Sequence, residues 1–133
     1  MSQAAINQYV KNRMATATPA QLVAMLFDGA VAAMRRAADA EADGRRAEAS
    51  EQLVKAQRIV TELRCSLNFE AGGRVAQELD RIYEFVCQQL VNANLGRDSL
   101  LAMRCVELLV PLRNAWATAC LGQPPVPGDR LTG

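Results

Sequence analysis

The chain has 133 residues, enough for one domain that folds on its own core without a disulfide or metal. Half of the residues are hydrophobic but only 5% are aromatic, and Ala, Leu and Val set against Glu, Gln and Arg is helical-bundle composition. The formal net charge of +1 excludes a global field that would attract nucleic acid or an anionic membrane.

In residues 1–18, Ile6, Tyr9, Val10 and Met14 form a rough i, i+3, i+4 stripe, which predicts a short amphipathic helix or helical arm. "MSQAAINQYVKNRM" has no apolar h-region, so no signal peptide is expected. "ATATP" then separates this arm from helix one, because a residue before proline avoids the helical region. Helix one is expected over 19–42. Thr18 suits the N-cap, Pro19 the first helical position, and Gln21 completes a capping box. Leu22, Val23, Ala24, Met25, Leu26 and Phe27 leave no polar side, and after Asp28-Gly29 the run resumes through Met34. An amphipathic helix needs one apolar stripe. This one exceeds it, yet Asp28 and Gly29 interrupt the run well short of a membrane span.

Asp43-Gly44 turns the chain into helix two, expected over 45–69, with Ala49, Leu53, Ala56, Val60, Leu63 and Leu67 spaced 4-3-4-3-4. Gly72-Gly73 is the second expected break. Helix three, over 74–95, places Val75, Leu79, Ile82, Val86, Gln89 and Ala93 on one stripe, with Phe85 and Leu90 alongside. "NLGRD" supplies the third break, with Asp98 as N-cap. Helix four, over 98–120, carries Leu101, Cys105, Leu108, Leu112, Ala115 and Ala119, and Leu109 and Trp116 make a second stripe. Pro111 lies inside it, so helix four either kinks or divides; apolar spacing in phase on both sides favours a kink. The Pro- and Gly-rich residues 122–133 read as a disordered or extended tail. Helices of this length are about 33 Å long and the loops are short, which predicts an antiparallel, up-down, all-α four-helix bundle over residues 19–121.

Histidine is absent from the chain. That removes the Glu-x-x-His pairs of a ferritin-like di-metal site, haem ligation by His, a phosphorelay, Ser–His and Cys–His nucleophiles, and Cys₂His₂ zinc. "AGGR" lacks the spacing and the Lys-Ser/Thr of a phosphate loop. The helical carboxylates have basic neighbours, as Glu51 has Lys55, and read as solvated ion pairs. Cys65, Cys87, Cys105 and Cys120 stand apart, with no CxxC, and read as small core hydrophobes in a reducing cytosol. Asp28 is either a solvated gap in the apolar run or a polar contact for a bound peptide. No catalytic, cofactor-binding or metal-binding residue is expected, and neither is an enzyme.

The apolar excess has several possible fates. The N-terminal arm could fold over it, a homo-oligomer interface could cover it, or a partner could lay amphipathic helices on it. A plain structural reading also stands, since much of the excess is Ala.

From about residue 6 to 118 the chain resembles the FliS family of flagellin export chaperones. The resemblance rests first on Tyr9, Met14, "TATP", Leu22 and "MLFDGA" in "NQYVKNRMATATPAQLVAMLFDGA". It continues through "LRCSLNFEAGG", "LDRIYEFV", "QLVNAN" and "LRNAW", in the family's order and spacing. Phe27 stands where the family pattern has Tyr; Pro111 and the tail have no counterpart. The resemblance implies a cytoplasmic chaperone, built as an antiparallel four-helix bundle with an N-terminal cap and using no cofactor. It implies binding of the disordered C-terminal segment of flagellin, protection from premature polymerisation, and delivery to the export gate protein of the flagellar secretion apparatus.

The partner surface expected on this basis combines the arm (Ile6, Tyr9, Val10, Met14) with helix-one residues Leu22, Met25, Leu26, Phe27, Asp28 and Met34. Leu109 and Trp116 of helix four complete it. Methionines such as Met25, Met34 and Met103 either repack against varied client faces or are plain core. The arm is expected to act as a lid on the empty chaperone or, alternatively, as a fixed cap that completes the core, and the resemblance implies that the Ile6–Tyr9 part helps dock the export gate. No nucleic acid and no integral membrane association are expected. The empty chaperone could form a homodimer, and the alternative function is a structural helical homo-oligomer or adaptor whose extra apolar face is a self-interface.

Overall fold

The computed structural model describes residues 4–5 and 17–122. Four long helices occupy the second range: α1 (Pro19–Ala42), α2 (Arg46–Cys65), α3 (Phe69–Gly96) and α4 (Ser99–Leu121). Ala4 and Ala5 are helical, and no strand occurs among the described residues. The other residues of the expected N-terminal cap, including Ile6, Tyr9, Val10 and Met14, and the tail beyond Gly122 lie outside the described residues.

The helix starts follow from local hydrogen bonding. Thr18 Oγ1 accepts from the Gln21 N–H at 3.2 Å, and Gln21 Oε1 accepts from the Thr18 N–H at 2.9 Å, so the capping box forms. Asn68 caps α3 and Asp98 caps α4, each accepting from the N–H three residues on at 3.0 Å. The turn between α2 and α3 therefore lies at 66–68, earlier than the expected Gly72-Gly73 break. The Asn68 side chain offers orphan N–H groups a partner there, and the glycine pair falls inside α3. Gly73 still leaves its mark, with φ 50° and ψ −124° between the first turn of α3 and its main body.

Short connections make sequential neighbours antiparallel, and the helices pack in a ring: α1 on α2, α2 on α3, α3 on α4 and α4 back on α1. The α3–α4 seam is the loosest of the four. α1 is gripped on two sides, which explains its wide apolar surface. Ala30, Ala33, Ala37, Ala38 and Ala40 are all buried, and so are Ala49 and Ala56 of the facing α2. Small side chains let these two helices approach closely; a Cβ added at Gly29 would sit 3.4 Å from Ile59 Cδ1. Much of the excess of Ala in α1 is therefore core.

The α2 stripe is buried as its spacing indicates, through Ala49, Leu53, Ala56, Val60 and Leu63. On α3 the buried positions are Ala76, Tyr83, Val86, Leu90 and Ala93, while Val75 of the expected stripe is exposed. On α4 both expected stripes contribute to the core, with Cys105 of the first buried and Leu101 and Leu112 half-buried. Leu109 is sealed in the core, whereas Leu108, Ala115 and Ala119 are exposed. Both stripes are apolar, and α4 turns the Leu109 side inward because its main packing partner is α1. α4 continues through Pro111 as one helix rather than two. Pro111 and Glu107 are both exposed, so water can serve the carbonyl left without its N–H.

Of the four thiols, all free, only Cys105 is fully buried; Cys87 is half-buried, and Cys65 and Cys120 are exposed. The expectation of four core cysteines is thus corrected. Helical phase alone cannot separate a core position from a seam position beside it. The cross-helix ion pairs hold the ends of the bundle. Arg64 at the end of α2 meets Asp80 of α3 through Nε–Oδ1 at 2.5 Å, with Glu84 at 3.4 Å. Arg46 at the start of α2 meets Glu41 at 2.9 Å and donates to both the carbonyl and the side-chain oxygen of Asn94 on α3.

Candidate binding groove

Loose packing between α3 and α4 opens a groove of about 600 Å³ at the end of the bundle where α1 begins. Val75, Leu79 and Tyr83 line it from α3, and Leu112 and Trp116 from α4. Val23 and Phe27 of α1 contribute further lining, and Leu67 and Asn68 close it from the α2–α3 turn. A second hollow of about 420 Å³ follows on the same seam, between Phe85 of α3 and Leu101 and Leu108 of α4, with Gln89, Arg104 and Glu107 also lining it. Large hydrophobic side chains stay exposed along these two helices. Val75 is 64%, Phe85 53% and Leu108 40% exposed, and among the described residues every exposed large hydrophobic except Val54 belongs to α3 or α4. Exposed apolar side chains beside two hollows on one seam make this a candidate binding surface.

The walls are held by specific contacts. Trp116 Nε1 donates to the Ala20 carbonyl at 2.9 Å, and the rings of Phe27 and Tyr83 meet with centroids 6.3 Å apart at 58°. Burial pushes the Tyr83 hydroxyl up to about pKa 12, so the group stays neutral at physiological pH. Burial likewise pushes the Cys105 thiol up to about 11, which keeps it protonated and a poor nucleophile. Among the described residues no group of three or more His, Cys, Asp or Glu could hold a metal ion, and no helix is long and apolar enough to cross a membrane.

The expected partner residues divide sharply. Trp116 stands in the groove wall, and Phe27 lies at its floor although only 2% exposed. Leu22, Met25 and Leu26 are half-buried on the first turns of α1. Met34 and Leu109 have no exposed surface, so in this form of the bundle they support the fold from inside. Asp28 is exposed, as a solvated gap in the apolar run would be, and it accepts from Arg113 Nε of α4 at 2.8 Å, an ion pair joining α1 to α4. Ile6, Tyr9, Val10 and Met14 are outside the described residues. Sequence reasoning passed over Val75, Leu79, Tyr83, Phe85, Leu108 and Leu112 as partner residues. Their signal was present, since α3 and α4 each carry apolar residues at two adjacent phases, more than one buried stripe requires.

A family model described as "Flagellar protein FliS" matches residues 1–123. The chain belongs to the FliS family. Curated FliS relatives include the "Flagellar secretion chaperone FliS" of Salmonella typhimurium, 34% identical over 108 residues and covering 80% of each chain. The protein of that name from Vibrio cholerae is 31% identical over 107 residues, covering 80% of this chain and 79% of its own. The "Flagellar secretion chaperone FliSB" of Pseudomonas aeruginosa is 30% identical over 116 residues, covering 84% of this chain and 92% of its own. FliS is thus a family of flagellar secretion chaperones rather than of enzymes, and the whole groove lies inside the matched range.

Proposed function

We propose that this FliS chain is a cytoplasmic export chaperone for flagellin. It holds the disordered C-terminal segment of flagellin as amphipathic helices along the α3–α4 seam, prevents premature polymerisation, and delivers the subunit to the export gate of the flagellar secretion apparatus. The observation that carries this reading is the run of exposed large hydrophobics, among them Val75, Phe85 and Leu108, beside two successive hollows on one seam. A disordered segment that folds into helices has apolar faces with no mate of its own, and the seam supplies a temporary one. Ordering the segment costs about 2–5 kcal/mol of the gross interaction. The interface is therefore expected to exceed the standard size of about 1,600 Å², with an apolar centre. Two moderate hollows in series fit a client that must be released better than one deep pocket does. Exposed Met103 on α4 adds an adaptable apolar contact.

In the same reading the N-terminal arm, through Ile6, Tyr9, Val10 and Met14, shields the groove in the empty chaperone, and its Ile6–Tyr9 part takes part in docking the gate. A tethered segment of this kind competes at a millimolar-scale effective concentration, enough to shield the surface and still yield to a client.

Sedimentation tests the reading against its rival, a self-interface. The protein alone should keep the mass of one chain across a hundredfold range of concentration. A peptide of the flagellin C-terminal segment should add one copy per chain. Growth of mass with concentration and no response to the peptide would instead establish the apolar seam as a homodimer or larger self-interface.

A further inference from the structure

The groove at the Trp116 end is apolar, and most of the polar atoms in its walls are already used. Ser66 Oγ donates to the Leu63 carbonyl at 2.7 Å. Asn68 Oδ1 accepts from the Ala71 N–H, and Trp116 Nε1 donates to Ala20. The Asn68 amide NH₂ and the Cys120 thiol belong to exposed residues that water reaches, and the Tyr83 hydroxyl is the exception among buried residues. Tyr83 is 3% exposed and lines the groove, yet among the described residues its hydroxyl has no hydrogen-bond partner. Nor is it sealed from solvent; Gln52 Oε1 is the buried side-chain atom that is both sealed and unpartnered among the described residues. The hydroxyl therefore keeps contact with water, and Tyr83 lines the groove. A client helix filling the groove would strip that water away.

We infer that Tyr83, a lining residue of the groove, sets client specificity: its hydroxyl selects a client helix that carries an Asn, Gln, Ser or Thr side chain within its otherwise apolar face. The inference rests on the reading above, that the groove receives flagellin helices. A phenol O–H can donate to any of these side-chain oxygens, and it accepts as readily. A client with a purely apolar face would seal the hydroxyl without a partner, a penalty of roughly five- to hundredfold in affinity. Sites built to hydrogen-bond a polar group discriminate strongly against analogues that lack it. Phe27 contributes by its ring contact, which holds the Tyr83 ring from the α1 side.

The test is a calorimetric titration of the flagellin C-terminal peptide into the full-length chain and into Tyr83→Phe. It is accompanied by a peptide series in which each Asn, Gln, Ser and Thr is replaced by Ala. Tyr83→Phe is expected to weaken the unmodified peptide roughly tenfold. One peptide substitution should weaken binding to the original chain by a similar factor and leave binding to the variant unchanged, the signature of a coupled pair. The melting temperature of the variant should be unchanged or higher, because the lost hydroxyl had no partner in the free protein. Equal affinities for the two chains, fully additive peptide effects, or a lower melting temperature in the variant would each overturn the inference while leaving the groove reading in place. Failure of the original chain to bind the unmodified peptide would instead overturn that reading, and the inference with it.

Discussion

Trp116 near the end of α4 donates its indole N–H to the carbonyl of Ala20 in the first turn of α1, at 2.9 Å. One side chain thus walls the groove and ties together the two helix ends that frame it. Trp116→Phe keeps most of the ring and removes the donor. Ala20 keeps its place in the helical ladder, so the loss should be one net hydrogen bond, about 1 kcal/mol by urea denaturation. The groove should survive the change.

Exposed and sealed apolar residues should respond in opposite ways. Phe85→Asp changes a half-exposed side chain of the seam, so stability should move by no more than about 0.5 kcal/mol. Binding of the flagellin peptide should fall by at least tenfold, because a charge would be buried without a partner. Met34→Ala, at a position with no exposed surface, should cost about 2–5 kcal/mol through the cavity it leaves. Denaturation and peptide titration on the two variants separate the roles.

Gly73 adopts φ 50° and ψ −124° where the first turn of α3 meets the rest of the helix. A Cβ there would meet no neighbouring atom within 4 Å, so Gly73→Ala tests backbone strain without a steric clash. The expected loss is about 1–3 kcal/mol, read as a lower melting temperature. Gly72→Ala is a different case. Its Cβ would lie 2.9 Å from the Ala76 Cβ, a contact that one side must yield by moving. Because Ala71, Gly72 and Val75 line the groove, both variants should also alter peptide binding.

The Tyr83 hydroxyl has its pKa raised by burial from 10.0 to about 12. Between these values the unfolded chain releases the proton and the folded chain retains it. Stability contributed by this group is therefore fully present below about pH 10 and is lost as pH rises towards about 12. Tyr83→Phe should show a shallower alkaline decline of melting temperature than the original chain. Parallel declines would mean that the hydroxyl titrates alike in both states.

The capping box of α1, the Asp98 cap and the α2 core were legible in the residues alone because each depends on neighbours three or four positions away. Thr18 and Gln21 satisfy each other, Asp98 reaches its own helix, and the 4-3-4-3 spacing from Ala49 to Leu63 defines one unambiguous face. The family was legible too, because its motifs are ordered along the chain. The second turn was harder. Gly72-Gly73 looked like the stronger break, but Asn68 could cap a helix start before it, and the cap set the boundary while Gly73 absorbed the irregularity.

Local pattern could not say which of two apolar stripes on α3 and α4 would turn inward. A helix with a doubled stripe is equally content with either face buried, and the choice belongs to the helices packed against it. Close packing of α1 with both α2 and α4 drew Leu109 into the core and turned Leu108 out towards the looser α3 seam. The same long-range packing gave Asp28 its partner in Arg113, 85 residues away, and enclosed Tyr83 beside Phe27. Short-range hydrogen bonds and helical periodicity settled what the helices are; the meeting of faces distant in the chain settled where the groove opens and which side chains it offers.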